Sequence, residues 1–321
     1  MSSIRYSLVA AAMLVAATSY VSAQEVTLRA VSAFPEGTAF SKNFERFIEK
    51  VNKDGKGTVQ INYIGGPRAV PSFEVGNAVR SKVVDIANVA GAYYTNLMPE
   101  ADALKLLNKP AAEQRKNGTW AYVNELHNQK LNSYYLARQF STVPFYLYLN
   151  KKIDKLDLTG LKIRSTPLYR DVVQALGGTG VTTAPGEIYT ALERGVVDGY
   201  GWPAVGIFDL GWEKVTKHRI EPPFYSVEDN VLVNNDVWKG LTEPQRKVLM
   251  DAALWLESLD EEDTALVKAE RERQTKAGIQ TVEFDAATSQ EFLKKANDVA
   301  WQSVIAKAPE TGKKLRALAG N

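Results

Sequence analysis

The side chains able to do chemistry in this chain are aromatic and cationic, and they stand near the ends of short apolar runs. Arg164 closes the run 161–164, Phe34 follows 26–31, and Tyr93 follows 83–89. Tyr200 and Trp202 end the run 196–202, and Phe145 lies in the β-rich stretch 143–149. In open α/β sheets ligands bind outside the carboxyl ends of the strands, so Phe34, Tyr93, Arg164, Tyr200 and Trp202 converge on one cleft. Any one of the rings, taken singly, fits a core position equally well.

Catalytic chemistry finds less support. There are two histidines and no cysteine, so a thiol nucleophile is excluded. His127 falls in the polar stretch 124–129 and His218 in the basic stretch 214–219, and both are expected at the surface. No metalloprotease, nucleophile-elbow, P-loop or dinucleotide fingerprint occurs. A glycosidase-type carboxylate pair stays open, because 37 acidic residues always allow some pair to be drawn. The sequon Asn117-Gly118-Thr119 matters only in a glycosylating host. The expected cofactor list is empty, as is the list of metal ligands.

The elements that position these residues follow from the patterning. Arg5, the uncharged run 6–17 and Val21-Ser22-Ala23 read as an export signal over 1–23, which places the mature chain in the periplasm. Its formal charge of +2 falls by the one charge of Arg5 to +1. Such a balance offers no basic face for nucleic acid or an anionic membrane. The chain left after position 23 exceeds what one core comfortably holds, so two lobes and a cleft are expected. Alternation in 26–31 and 58–63, helical spacing of Phe40, Phe44, Phe47, Ile48 and Val51, part of a second helix over 75–79 and the apolar run 83–89 give strand, helix, strand, helix, strand. That order predicts a mostly parallel sheet with helices on its faces. Val-Val-Asp recurs at 83–85 and 196–198, a weak internal echo consistent with two lobes of similar build. Residues 245–277 contain no Gly or Pro and read as one long helix, with the acidic run 260–263 expected as a solvated face or the start of a turn.

Four segments then carry a resemblance. The stretch 157–167 (DLTGLKIRSTP), the stretch 184–199 (APGEIYTALERGVVDG), 231–234 (VLVN) with Trp238, and 241–245 (LTEPQ) resemble the substrate-binding proteins of tripartite ATP-independent periplasmic (TRAP) transporters. Residues 44–51 and 75–86 fit more loosely. The resemblance implies a two-lobed α/β periplasmic binding protein of type II-like form, with hinge strands and one long bridging helix. Its lobes would be 24–140 with 229–268, and 141–228 with 269–321. It further implies a monomer that delivers a small-molecule carboxylate to TRAP membrane subunits, and that Arg164 pairs with the ligand carboxylate. The chemistry agrees, since guanidinium presents a planar fork of donors that matches a carboxylate and never loses its charge.

Against the sialic acid branch of that family, this chain has Gly201-Trp202-Pro203 in place of a polar turn and Phe145-Tyr146 in place of a second arginine. Ligand hydroxyls would then be buried without partners, which argues against a sugar acid and for an aromatic or hydrophobic monocarboxylate. Trp202 also resembles the 2-oxo acid branch, in which a metal ion assists binding, and Glu228 would be its acidic ligand. Two other classes remain: a secreted hydrolase, which needs acidic residues in the cleft, and a sensor subunit of the same fold.

Overall fold

A computed structural model describes residues 24–320, so the export signal expected over 1–23 lies outside the described residues. Eleven strands are present among the described residues: β1 (Val26–Ser32), β2 (Val59–Tyr63), β3 (Ile86–Ala90), β4 (Ser133–Gln139), β5 (Pro144–Leu149), β6 (Lys162–Ser165), β7 (Thr179–Thr182), β8 (Gly199–Pro203), β9 (His218–Ser226), β10 (Asp229–Asn234) and β11 (Gln280–Val282). They form two sheets, ordered β2-β1-β3-β10-β4 and β11-β9-β5-β8-β6-β7.

The sheets are mixed where a mostly parallel one was expected. β1 runs parallel to β2 and β3, but β10 is antiparallel to both β3 and β4, and β5 is antiparallel to β8 and β9. The reason is topological. The chain crosses from the first sheet to the second through 140–143 and returns through Val227-Glu228, and a strand arriving straight across a hinge needs no helical crossover, so it enters antiparallel. The run 83–89 is strand only from Ile86, because Val83 and Val84 belong to the turn that leaves helix Val75–Arg80.

Helical periodicity is realised as an apolar stripe. In Ala39–Asp54 the buried residues are Phe40, Ser41, Phe44, Phe47, Ile48 and Val51, one face of a helix laid on the first sheet. The long helix expected over 245–277 is two helices, Glu243–Ser258 and Asp260–Lys276, meeting at Leu259. In the acidic run 260–263, Glu261 and Glu262 are exposed as expected, but Asp260 and Asp263 are not. Asp260 and Asp263 start the second helix and clamp the first hinge crossing: the Ser141 hydroxyl donates to Asp260, and Thr142 Oγ1 donates to Asp263 Oδ2 at 3.1 Å. Burial, with Asp260 alongside, pushes the Asp263 carboxyl up to about 8.

The C-terminal helices touch elements of both units. Helix Ala286–Lys307 packs on β9 and helix Pro167–Ala175, but it also meets the 3-10 helix Pro99–Leu106, and the last helix Pro309–Ala319 rests on that segment and on helix Thr119–Lys130 of the first unit. Among the described residues, no helix is long and apolar enough to cross a membrane.

Both histidines are buried, against expectation. His127 is fully buried, donating from Nδ1 to the Val123 carbonyl at 2.7 Å and accepting at Nε2 from the Tyr94 hydroxyl at 3.0 Å. That tautomer follows because a carbonyl only accepts. Burial lowers its pKa to about 4, which keeps it neutral. His218 is buried in β9, between β5 and β11.

Candidate functional site

A cavity lies between the two sheets, with about 440 Å³ of space inside its walls, part of it open to solvent. The first unit contributes Phe34 from the end of β1, Phe40 from the start of helix Ala39–Asp54, and Tyr93 from the turn after β3. The second contributes Arg164 from β6, Phe145 from β5, Trp202 from β8 and Tyr169 from helix Pro167–Ala175. Glu228 and Asp229 enter from the return crossing beneath. The rings form a connected wall: Phe34 stands 5.3 Å from Phe40 and 5.9 Å from Tyr93, Phe40 meets Trp202 edge-on at 5.7 Å, and Phe145 meets Tyr169 at 5.3 Å.

Arg164 is 1 % exposed, yet among the described residues no carboxylate lies within ion-pair distance of it. Nε and Nη2 fork onto the Thr183 carbonyl at 3.0 and 2.8 Å, and Nη1 donates to the Tyr169 hydroxyl at 3.1 Å. That hydroxyl donates in turn to the Arg164 carbonyl at 2.7 Å, so Tyr169 fixes the plane of the fork. These bonds use three of the five N–H groups of the guanidinium, and the Tyr93 hydroxyl also stands against it. The cation sits 5.9 Å from the Trp202 ring, and burial raises the adjacent Tyr93 phenol to about 12 while Arg164 pulls it the other way. A buried cation held by neutral oxygens, with no counter-ion among the described residues, is a socket for an anion.

Five of the six expected site residues meet here: Arg164, Trp202, Phe34, Tyr93 and Phe145. Tyr200 does not. It shares the face of β8 that carries Trp202 but lies one pleat repeat back, stacked on Tyr148 at 5.2 Å with its hydroxyl bonded to Thr216 at 2.8 Å. Phe40, Tyr169 and Asp229 were not foreseen. Tyr169 carried a signal, since it follows Arg164 by five positions across Pro167, a strand-turn-helix that folds the ring back over the strand.

Glu228 is held from three sides. Oε2 accepts the Gly91 N–H and the Asn230 amide (3.0 Å), and Oε1 accepts the Ala92 N–H at 3.2 Å. A set of N–H donors converging on the carboxylate is the reverse of what a cation requires, and no group of three or more His, Asp or Glu suited to a metal occurs among the described residues. The metal-assisted arrangement inferred for Glu228 does not fit this geometry.

Burial raises the Glu228 carboxyl from 4.5 to about 7, with the Gly91 and Ala92 N–H groups and Arg138 opposing. The stability tied to that raised value is complete below about pH 4.5 and is lost as pH rises through 7. Charging Glu228 also puts a negative group in the wall of the cavity that Arg164 lines. An anionic ligand is therefore expected to bind several-fold more weakly at pH 8 than at pH 6, with proton uptake on binding near pH 7. Calorimetric titrations in buffers of different ionisation enthalpy check this, and Glu228→Gln should flatten the profile.

Residues 30–308 match the family described as bacterial extracellular solute-binding protein, family 7. A monocarboxylate 2-oxoacid-binding periplasmic protein of Nostoc sp. is 25% identical over 241 residues, which span 71% of this chain and 65% of that relative's length. Among solved structures, a TRAP periplasmic solute-binding protein from Desulfovibrio salexigens with bound orotic acid superposes at a TM-score of 0.81 with 19% identity, covering 92% of this chain and 97% of the other. A Bordetella pertussis extracytoplasmic solute receptor binding pyroglutamic acid gives 0.80 at 17% identity, covering 92% and 100%. At these identities the structural likeness shows the fold.

Proposed function

The chain belongs to family 7 of the bacterial extracellular solute-binding proteins, and from that premise we propose that it is a TRAP receptor for a small monocarboxylate seated on Arg164. The observation that carries this reading is the buried guanidinium that bonds only neutral oxygens and has no carboxylate partner among the described residues. Phe34, Phe40, Tyr93, Phe145 and Trp202 then enclose a compact, flat or apolar ligand body. Orotic and pyroglutamic acids, bound by two proteins of the same fold, are ligands of this shape. Closure of the two units around the ligand removes water from the ion pair and strengthens it.

Arg164 is the one cationic side chain among the described lining residues, and the other two ionisable groups that can carry full charge there are the carboxyls of Glu228 and Asp229. A second ligand carboxylate would face those or a ring. Monocarboxylates should therefore bind at least 10-fold tighter than dicarboxylates of similar size, and sugar acids should bind weakly because the aromatic wall leaves their hydroxyls unpaired. Titration calorimetry with the three classes tests this; a dicarboxylate or aldonic acid binding more tightly than every monocarboxylate would refute the reading. Glu228 and Asp229 are the acidic residues a hydrolase would need in the cleft, but Glu228 is already engaged by three N–H donors, and receptor function accounts for the site without a reaction.

A further inference from the structure

Helix Ala39–Asp54 of the first unit starts without a cap of its own. The Thr38 side chain at its N-cap makes no cap bond, because its hydroxyl donates back to the Pro35 carbonyl at 2.6 Å, and the first turn carries no acidic residue. Such a helix end combines free N–H groups with the positive end of the macrodipole, and both favour an anion. Asp209 of the second unit supplies one. Its Oδ2 accepts the Ala39 N–H at 2.6 Å, from 170 positions further along the chain. Among the described residues no cation lies within ion-pair distance of Asp209, since Arg46 pairs with Glu262 and Arg273 with Glu270.

The loop 204–211, between β8 and the 3-10 helix Trp212–Lys214, holds Asp209 out for this contact. Gly206 and Gly211 bracket it with φ of 94° and 73°, a region glycine enters without strain. Gln274 Nε2 donates to the Ala204 carbonyl at 2.8 Å and the Arg273 guanidinium covers the Phe208 ring at 3.8 Å, so the loop is fastened to helix Asp260–Lys276. Phe40, the residue after Ala39, meets Trp202 in the cavity wall, but neither Ala39 nor Asp209 lines the cavity. The contact closes beside the rings and touches no ligand.

We propose that Asp209 and the N-terminus of helix Ala39–Asp54 form a closure latch, a contact made only when the two units meet, which favours the closed receptor whichever anion it holds. The inference rests on closure of the units in the receptor reading, and not on Arg164. A carboxylate capping a helix end changes an equilibrium constant by about 2- to 30-fold.

Two variants break the latch from opposite sides. Asp209→Ala removes the anion. Ala39→Pro replaces the N–H by a ring carbon without harming the helix, because proline is favoured at the first helical position and the extended backbone of Thr38 (φ −80°, ψ 163°) suits the residue before it. The chain has no cysteine, so spin labels on Lys56→Cys and Glu193→Cys, exposed in the first and second units, report the separation of the units in the mature protein. Interspin distances are read free and with pyruvate or benzoate as probes, alongside titration calorimetry. Each latch variant should raise the ratio of open to closed distances by about 2- to 30-fold or weaken every probe that binds by one common factor of that size, and the double variant should add less than about 2-fold. Distances and affinities that match the parent's in either variant overturn the latch, as do losses that differ between probes, which would make Asp209 a ligand contact. A role confined to folding would lower the unfolding midpoint and leave the distances unchanged, which also overturns it. If neither probe binds the parent, the carboxylate reading fails for both, and the distances in the free protein decide the latch.

Discussion

Arg164→Ala is expected to weaken binding of the monocarboxylate ligand by about 2–5 kcal/mol, roughly 30- to 4000-fold in Kd, because it leaves a desolvated anion with no partner. Arg164→Lys should recover little of this. A lysine ammonium is a point charge, and it replaces neither the fork onto the Thr183 carbonyl nor the bond to the Tyr169 hydroxyl that aims it. The ligand-free unfolding midpoint should move far less than the affinity, since the cation in the empty protein has no ion pair to lose. Titration calorimetry with parallel thermal melts separates the two effects. A variant that binds as tightly as the parent removes Arg164 from the site.

Gly201→Val should damage both stability and binding, although the residue touches no ligand. A Cβ at Gly201 would lie 2.7 Å from Tyr169 Cε2 and 2.8 Å from Phe145 Cε1, closer than carbon atoms approach. Two rings of the cavity wall must move to admit it, and overpacking of this kind costs about 1–3 kcal/mol of stability. Displacing Tyr169 also frees the Arg164 fork, because its hydroxyl contacts both the guanidinium and the Arg164 carbonyl. An affinity loss of 10-fold or more is expected, with a lowered unfolding midpoint. An unchanged affinity would mean that Tyr169 does not position Arg164.

What could be read from the residues was set by periodicity and local chemistry. The strands before Phe34 and Tyr93, the strand ending near Arg164 and the one carrying Trp202 are short apolar runs bounded by turns, and the rule that ligands sit at carboxyl strand ends brought these four residues to one cavity, while Phe145, at the amino end of β5, was reached through the family comparison. The failures have distinct causes. Tyr200 was included because sequence shows which face of a strand a ring occupies but not how far along it the cavity reaches. His127 was misplaced because its neighbours Asn124, Asn128 and Gln129 are polar, while Val123 and Leu126, three or four positions back or beside it, set its buried face. The acidic run 260–263 looked solvated because its partners, Ser141 and Thr142, lie about 120 positions earlier and meet it only at the hinge. Asp209 escaped notice for the same reason: the helix end it caps lies 170 positions earlier, in the other unit.

The carboxylate itself is tested most directly by comparing a monocarboxylic acid that binds with its methyl ester and its primary amide in a thermal-shift titration. The acid should raise the unfolding midpoint progressively, by the equivalent of about 2.7 kcal/mol at 100 times its Kd, while the ester and amide, which offer Arg164 no charge, should leave it nearly unchanged. An ester or amide that stabilises the protein as much as the acid would contradict the assignment of Arg164 as an anion socket.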